Sequence, residues 1–374
     1  MHLYVHVPFC ARRCSYCDFA IAVRRTVPAE AYVAAVVREW EGWLTHPIWH
    51  GAGQEVRTVY FGGGTPSRLA PDGISRILER IGRDRSLAAG AEVTLEANPE
   101  DVTARNARAW RSAGVTRVSL GVQSFDPGVL RWMHRTHTAD HVPHALDALR
   151  AGGIEGVSVD LIFGLPSALQ RDWEQDLQLA LALQPDHVSL YGLTIEDHTP
   201  LSHWAGRGEV TPVDDERYAV EYLAANAALE AAGYEHYEVS NAARAGHRAR
   251  HNSAYWRRDP FIGLGPSAHS GWGVERQWNV RDWVAYQRAL EVGPSAVAGS
   301  ERLDDRAVAL EELYLGLRTR DGIPAEWIDA DDRCRWMTSG WATETGTRVR
   351  LTAEGWLRLD ALVRLTSSRF RSTL

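Results

Sequence analysis

The chain has 374 residues, of which 45% are hydrophobic and 24% charged, with a formal net charge of -7. This is ordinary globular usage with ample apolar surface for a core, and its acidic balance argues against a general nucleic-acid binder, which needs a basic stripe. No uncharged apolar run approaches the ~18 residues of a membrane span, and residues 1–9 lack the basic start and long apolar centre of a signal peptide. A cytoplasmic protein that does not cross a membrane is therefore expected.

From the first residue to about Asn241, short β-branched runs alternate with helical patterns, the alternation that builds a parallel sheet or barrel. Strands are expected at residues 3–7, 56–61, 92–96, 117–122, 156–162 and 187–191. The first helix starts after Pro28 and carries Tyr32, Val36, Val37, Trp40 and Leu44 at helical spacing. Further helices are readable at 74–81, 104–113, 142–151, 173–183 and 218–232. Six βα units predict an α/β fold, a partial (β/α)6 barrel over residues 1–235 rather than the complete eight-unit ring.

Residues 236–300 read as a connecting segment, rich in Gly, Arg, His and Trp and ending in a Gly- and Ser-containing linker at 293–300. Residues 301–374 read as a small helical, winged-helix-like domain with a helix at 304–318, part of a hairpin at 348–351 and a last helix at 353–365. A wing ordinarily suggests DNA binding, but the acidic cluster Glu301, Asp304, Asp305, Glu311 and Glu312 weakens that reading.

Three of the four cysteines fall close together, in His6-Val7-Pro8-Phe9-Cys10-Ala11-Arg12-Arg13-Cys14-Ser15-Tyr16-Cys17, on the loop that ends the first strand. That is the wrong distribution for a disulfide scaffold and suits metal binding. Three thiolates match a sulfur-bridged four-iron cube, which needs four external ligands and would keep one corner without a protein ligand. Structural zinc is the alternative, but it generally closes a four-ligand shell, and no second Cys-x-x-Cys pair exists here. Cys334 stands alone and reads as a small buried hydrophobe.

The spacing Cys-x3-Cys-x2-Cys, with an aromatic before the third cysteine, resembles the radical S-adenosylmethionine superfamily. The resemblance implies a 4Fe-4S cluster on Cys10, Cys14 and Cys17. Its open iron would chelate the amino and carboxylate groups of S-adenosylmethionine, which reduction can cleave to a 5'-deoxyadenosyl radical. In barrels of parallel strands, ligands bind where the strands end. Gly62-Gly63-Gly64-Thr65-Pro66 follows the second strand, and glycines there allow close backbone approach to a ligand. Glu96, Gln123 and Asp160 end later strands, and Arg135 lies past the fourth. Polar residues at strand ends also serve as helix caps. By resemblance, Tyr4, Tyr16, Gly63, Gly64, Thr65, Glu96, Gln123, Arg135 and Asp160 contact S-adenosylmethionine.

The match extends over most of the chain to the family that contains oxygen-independent coproporphyrinogen III oxidase and the heme chaperone HemW. The oxidase pattern has a fourth cysteine two residues after the third, where this chain has Phe19, and an N-terminal extension before the first strand. His251-Asn252-Ser253-Ala254-Tyr255-Trp256 resembles the His-Asn-x-x-Tyr-Trp signature of the chaperone branch. The resemblance implies a heme chaperone with heme as cargo, acceptor hemoproteins such as respiratory enzymes as partners, and no coproporphyrinogen oxidation; the oxidase is the alternative. His251, Tyr255 and Trp256 are the expected heme contacts, with His251 as axial ligand. Arg248, Arg250, Arg257 and Arg258 are candidates for the propionates. His269, in Gly263-Leu264-Gly265-Pro266-Ser267-Ala268-His269, is a second ligand candidate. A histidine beside Tyr and Trp also packs or hydrogen-bonds in a core. A homodimer stays open, because a cluster can drive dimerisation.

Overall fold

Leu3, Val5 and Val7 alternate with His2, Tyr4 and His6, and this two-residue period gives the first strand an apolar and a polar face. The same alternation recurs in each parallel strand. Val118, Leu120 and Val122 oppose Arg117, Ser119 and Gly121; Val157, Val159 and Leu161 oppose Ser158 and Asp160; Val188 and Leu190 oppose His187 and Ser189. The apolar rows are fully buried in one core with helix residues such as Tyr32, Val36, Trp40 and Trp110. The polar rows face inward.

The computed structural model describes residues 1–49 and 55–369. Among them, twelve strands form one sheet, numbered here in chain order. These are β1 (His2–Val7), β2 (Val56–Gly63), β3 (Leu87–Ala97), β4 (Arg117–Gln123), β5 (Gly156–Phe163), β6 (His187–Gly192), β7 (Glu235–Glu238), β8 (Asn241–Ala243), β9 (Phe261–Leu264), β10 (His269–Trp272), β11 (Glu275–Asn279) and β12 (Val297–Arg302). Their order is β12-β11-β10-β9-β1-β2-β3-β4-β5-β6-β8-β7. Strands β1 to β6 are parallel neighbours and carry all six expected strands. The fold is α/β, a partial barrel of six βα units.

The expected connecting segment is more than a connector. β9 joins β1 in parallel and β10 to β12 extend that edge antiparallel, so these residues belong to the sheet. Part of the expected linker is strand β12. Short Gly-rich runs hid the period-two pattern, because a glycine on a strand offers no side chain to count. The C-terminal unit has helices Asp305–Leu317, Ala330–Thr338 and Leu359–Arg369 around a three-stranded sheet whose centre is Arg348–Leu351. Glu311 and Glu312 of the acidic cluster pair with Arg258, and Glu311 also with Arg276. Among the described residues, no helix is long and apolar enough to cross a membrane.

One buried carboxylate clamps the first helix, Ala29–Trp43, to the β9 edge. Glu39 accepts from the backbone N–H of Gly265 (2.8 Å), the Tyr286 hydroxyl (2.5 Å) and the Asn279 amide. Burial pushes its pKa up to about 7 against the pull of those donors. Removing the acceptor leaves three donors buried and unpaired, each costly. Glu39→Ala should therefore lose about 3 kcal/mol in urea unfolding, and a loss below about 1 kcal/mol would mean that the clamp is dispensable.

Candidate functional site

The cysteine loop is held at both ends. Phe9–Cys10 pairs in parallel with Ala22–Val23, and His6 Nε2 hydrogen-bonds the Ala20 carbonyl at 2.8 Å. Phe9 is wedged edge-on between Tyr32 (5.5 Å) and Trp283 (5.3 Å). Between these anchors Ser15 donates its backbone N–H to the Met133 carbonyl, which ties the loop's middle to the segment after β4. Cys14 and Cys17 ride on that middle section.

The loop forms one wall of a cavity of about 430 Å³ at the C-terminal ends of the parallel strands. Cys10, Cys14 and Cys17 line it, and so do Tyr16, Gly63, Gly64, Thr65, Glu96, Gln123, Arg135 and Asp160. Residues scattered over 150 positions of sequence thus meet in one place, as ligand sites at strand ends do. Tyr4 is the exception. It stands on β1 beside this cavity, stacked on Tyr60 at 6.1 Å and hydrogen-bonded to His6 Nδ1, and it lines the neighbouring cavity instead.

Local geometry shows why these residue types are needed. Gly63 has φ +114°, and a Cβ on Gly64 would lie 2.7 Å from the Pro8 carbonyl oxygen and 3.0 Å from Cys10 Sγ. Gln123 holds φ +68° where β4 ends, backbone strain of the kind that gathers at functional sites. Glu96 accepts from the Tyr60 hydroxyl (2.8 Å) and the Gly63 N–H (3.0 Å), while its burial pushes the pKa up to about 7. Asp160 is likewise raised by burial and accepts from the Ser119 hydroxyl at 2.9 Å. Arg135 donates to Asn98 Oδ1 (2.7 Å) and the Gly121 carbonyl (2.6 Å), and its Nη1 lies 3.9 Å from Cys14 Sγ. Its buried Nε has no hydrogen-bond partner among the described residues.

The three thiols fit an iron-sulfur cube. They line one cavity, from the loop that ends β1. A cube presents each cysteine with a different iron, and three thiols leave its fourth iron without a protein ligand, whereas structural zinc generally closes a four-ligand shell. Burial raises the thiol of Cys10 and pushes that of Cys17 up to about 12. Because metal ligation needs thiolates, loading such a site expels protons. Cys334, expected to be buried, is instead exposed on helix Ala330–Thr338. The helix turns that face outward, which a lone cysteine in sequence does not reveal.

The His251 motif is placed differently from expectation. Helix Arg250–Trp256 is seated by Glu92, whose carboxylate accepts the N–H groups of Arg250 and His251. His251 is buried; its Nδ1 bonds the Thr58 hydroxyl at 2.6 Å and its Nε2 the Tyr255 hydroxyl at 2.8 Å. Both ring nitrogens are used, so in this conformation the imidazole offers no lone pair to an iron, and burial lowers its pKa to about 3. Nor do the three motif residues share one ligand face. Tyr255 lines the cavity next to the cysteine loop, while Trp256 lines a cavity of about 1010 Å³ at the opposite, N-terminal ends of the strands. The expected propionate partners already have protein partners: Arg248 holds Glu235, Arg257 holds Asp259, Arg258 holds Glu311 and Glu312, and Arg250 donates to the Gly90 carbonyl.

Comparison with known proteins matches this architecture. Residues 4–180 match the model of the Radical SAM superfamily. The heme chaperone HemW of Mycobacterium tuberculosis is 38% identical over 97% of this chain and 93% of its own. The chain belongs to the HemW family of radical SAM proteins. The HemW of Escherichia coli is 36% identical over 72% of this chain and 69% of its own. A mitochondrial relative from Mus musculus, radical S-adenosyl methionine domain-containing protein 1, is 34% identical over 96% of this chain and 82% of its own. The fold is shared with the Escherichia coli coproporphyrinogen III oxidase HemN, with a TM-score of 0.80 at 22% identity over 98% of this chain and 90% of that one.

Several residues that line this cavity escaped the sequence reading. Asn98 positions Arg135, Ser119 holds Asp160, and Ile162 and Tyr191 complete the wall. For Ser119 and Tyr191 the signal was the polar row at period two inside otherwise apolar strands, an unusual pattern for strands covered on both faces. Replacing Cys10, Cys14 or Cys17 by Ala should abolish the charge-transfer absorbance of an anaerobically reconstituted cluster, and Gly64→Ala should weaken it through the clash with Cys10. Cys334→Ala should leave it unchanged, and an iron content that depends on Cys334 would contradict this site.

Proposed function

We propose that this protein binds heme and hands it to acceptor hemoproteins, with a 4Fe-4S cluster on Cys10, Cys14 and Cys17 and S-adenosylmethionine in the adjoining cavity. The observation that carries the reading is near full-length kinship with proteins named heme chaperones, joined to an exposed Phe19 at the position two residues past Cys17. When bound, such a cluster supplies a reducible iron without a protein ligand, able to hold the amino and carboxylate groups of S-adenosylmethionine.

The chain's own groups suit that ligand. Glu96, ionised, accepts from the N–H of that amino group, and the Gly63 and Gly64 backbone lets the group approach. Asp160, oriented by Ser119, is placed to accept from hydroxyls. Arg135 lies beside Cys14 and offsets the negative charge that thiolates bring into a buried site. The acceptor is a hemoprotein, a respiratory enzyme among the candidates.

A pH dependence follows from Glu96. Its carboxyl is raised to about 7 by burial, so it is largely protonated below that value and ionised above it. An N–H donor binds the ionised form better than the protonated one, so affinity for S-adenosylmethionine should rise between about pH 6 and pH 8 and binding at the lower pH should release the Glu96 proton. Calorimetry in two buffers of different ionisation enthalpy reads the proton release, and Glu96→Gln should remove the part of it contributed by Glu96, leaving the part from the amino group that the iron takes. Heme titration of the anaerobically reconstituted protein, followed at the Soret band, should saturate. Absence of saturable heme binding, or efficient conversion of coproporphyrinogen to protoporphyrinogen, would overturn the chaperone reading.

A further inference from the structure

We propose that the iron of the cargo heme is ligated by His269, in the cavity that the Asp18–Phe19 corner of the cysteine loop shares with β10. The inference rests on the heme-chaperone reading and adds the site to it. The cavity measures about 390 Å³, and Tyr255, Phe261, Ser267, His269, Phe19 and Arg281 are among its walls. It combines the three things a metalloporphyrin needs: an imidazole, apolar surface and a cation for a propionate.

The imidazoles sort themselves by their hydrogen bonds. His251 spends both nitrogens, and so does His6, on the Ala20 carbonyl and the Tyr4 hydroxyl. His269 is exposed, its ring stacked on Trp278 at 5.9 Å and 29°, and neither ring nitrogen has a hydrogen-bond partner among the described residues. The stack fixes the ring's plane without using its lone pair. Partial burial lowers its pKa, which keeps the imidazole in the neutral, ligating form.

The surroundings complete the site. Phe19 is 57% exposed, a large apolar side chain facing solvent, and it borders both this cavity and the cysteine-lined one. Phe261 and Tyr255 pack edge-on at 4.7 Å on the other side. Arg281 gives Nη2 to the Asp18 carbonyl (2.7 Å), and a guanidinium has five donors, so donors remain for a carboxylate. Ser267, just before His269, holds φ +62°, strain in the loop that presents the ligand. The larger arginine-lined cavity is less apt, since its motif arginines are already paired and His2, its histidine, is buried against Thr58. A histidine exposed at the cavity wall also suits a donor, since the bound group stays within reach of an acceptor.

The test is a heme titration of the full-length protein with optical and resonance Raman detection, on the wild type and on His269→Ala, His269→Gly, Arg281→Ala and His251→Gln. The wild type should show an iron–histidine stretch that both His269 variants lose, with affinity reduced by about tenfold or more, while added imidazole restores the ligated spectrum to His269→Gly. Arg281→Ala should weaken heme severalfold with the ligand spectrum intact, and this difference should vanish with the heme dimethyl ester, which lacks propionate charges. His251→Gln should keep the histidine signature. Because His269 is exposed, unchanged thermal unfolding and cluster absorbance identify a folded variant. A wild type that binds no heme defeats the chaperone reading itself; heme bound with an unchanged spectrum in His269→Ala defeats this site alone.

Discussion

A polar group taken out of water inside a barrel has to find a partner, and this constraint organises the molecule. The inner faces of the parallel strands carry His2, Thr58, Tyr60, Glu96, Ser119, Asp160, Ser158 and His187 rather than aliphatic side chains. Each is tied to another: His2 to Thr58, Tyr60 to Glu96, Ser119 to Asp160, Ser158 to His187. The apolar outer faces stabilise the fold by burial against the helices, which leaves the inner row free to be chemical. Buried hydrogen bonds of this kind add modest net stability but fix geometry closely, because an unmade bond is expensive there.

The same constraint explains how the strand ends come prepared. Glu96 is aimed by Tyr60 and by the Gly63 N–H, Arg135 by Asn98 and the Gly121 carbonyl, and Asp160 by Ser119. The cysteine loop is tied down by Phe9 and by the His6–Ala20 bond, so the thiols sit on a fixed frame. A ligand arriving at this cavity finds its partners already oriented, and little ordering entropy is lost on binding.

Relatedness to an oxidase fold does not decide the activity, since fold and site are separate matters. What differs here is local. Where the oxidase pattern has another cysteine, Phe19 turns toward solvent between the cysteine-lined cavity and the one bordered by His269. The helix that carries His251 contributes by filling the barrel beneath Tyr4 and Tyr60, with Tyr255 reaching outward from it.

The sequence by itself determined a good deal. Three clustered cysteines after a β-branched run, six βα alternations and polar residues at the strand ends are local patterns, and local patterns survive being read one residue at a time. They located much of the cavity's lining but not Asn98, Ser119, Ile162 or Tyr191, and Tyr4 borders the neighbouring cavity instead. Only the tertiary structure decided what depends on partners distant in the chain. Thr58 and Tyr255 consume the nitrogens of His251, Glu39 brings Gly265 and Asn279 to the first helix, and β9 to β12 turn an expected connector into sheet. Whether a histidine is a ligand or a core residue is settled by whether its lone pair is already taken. That is a property of the folded neighbourhood and not of the motif.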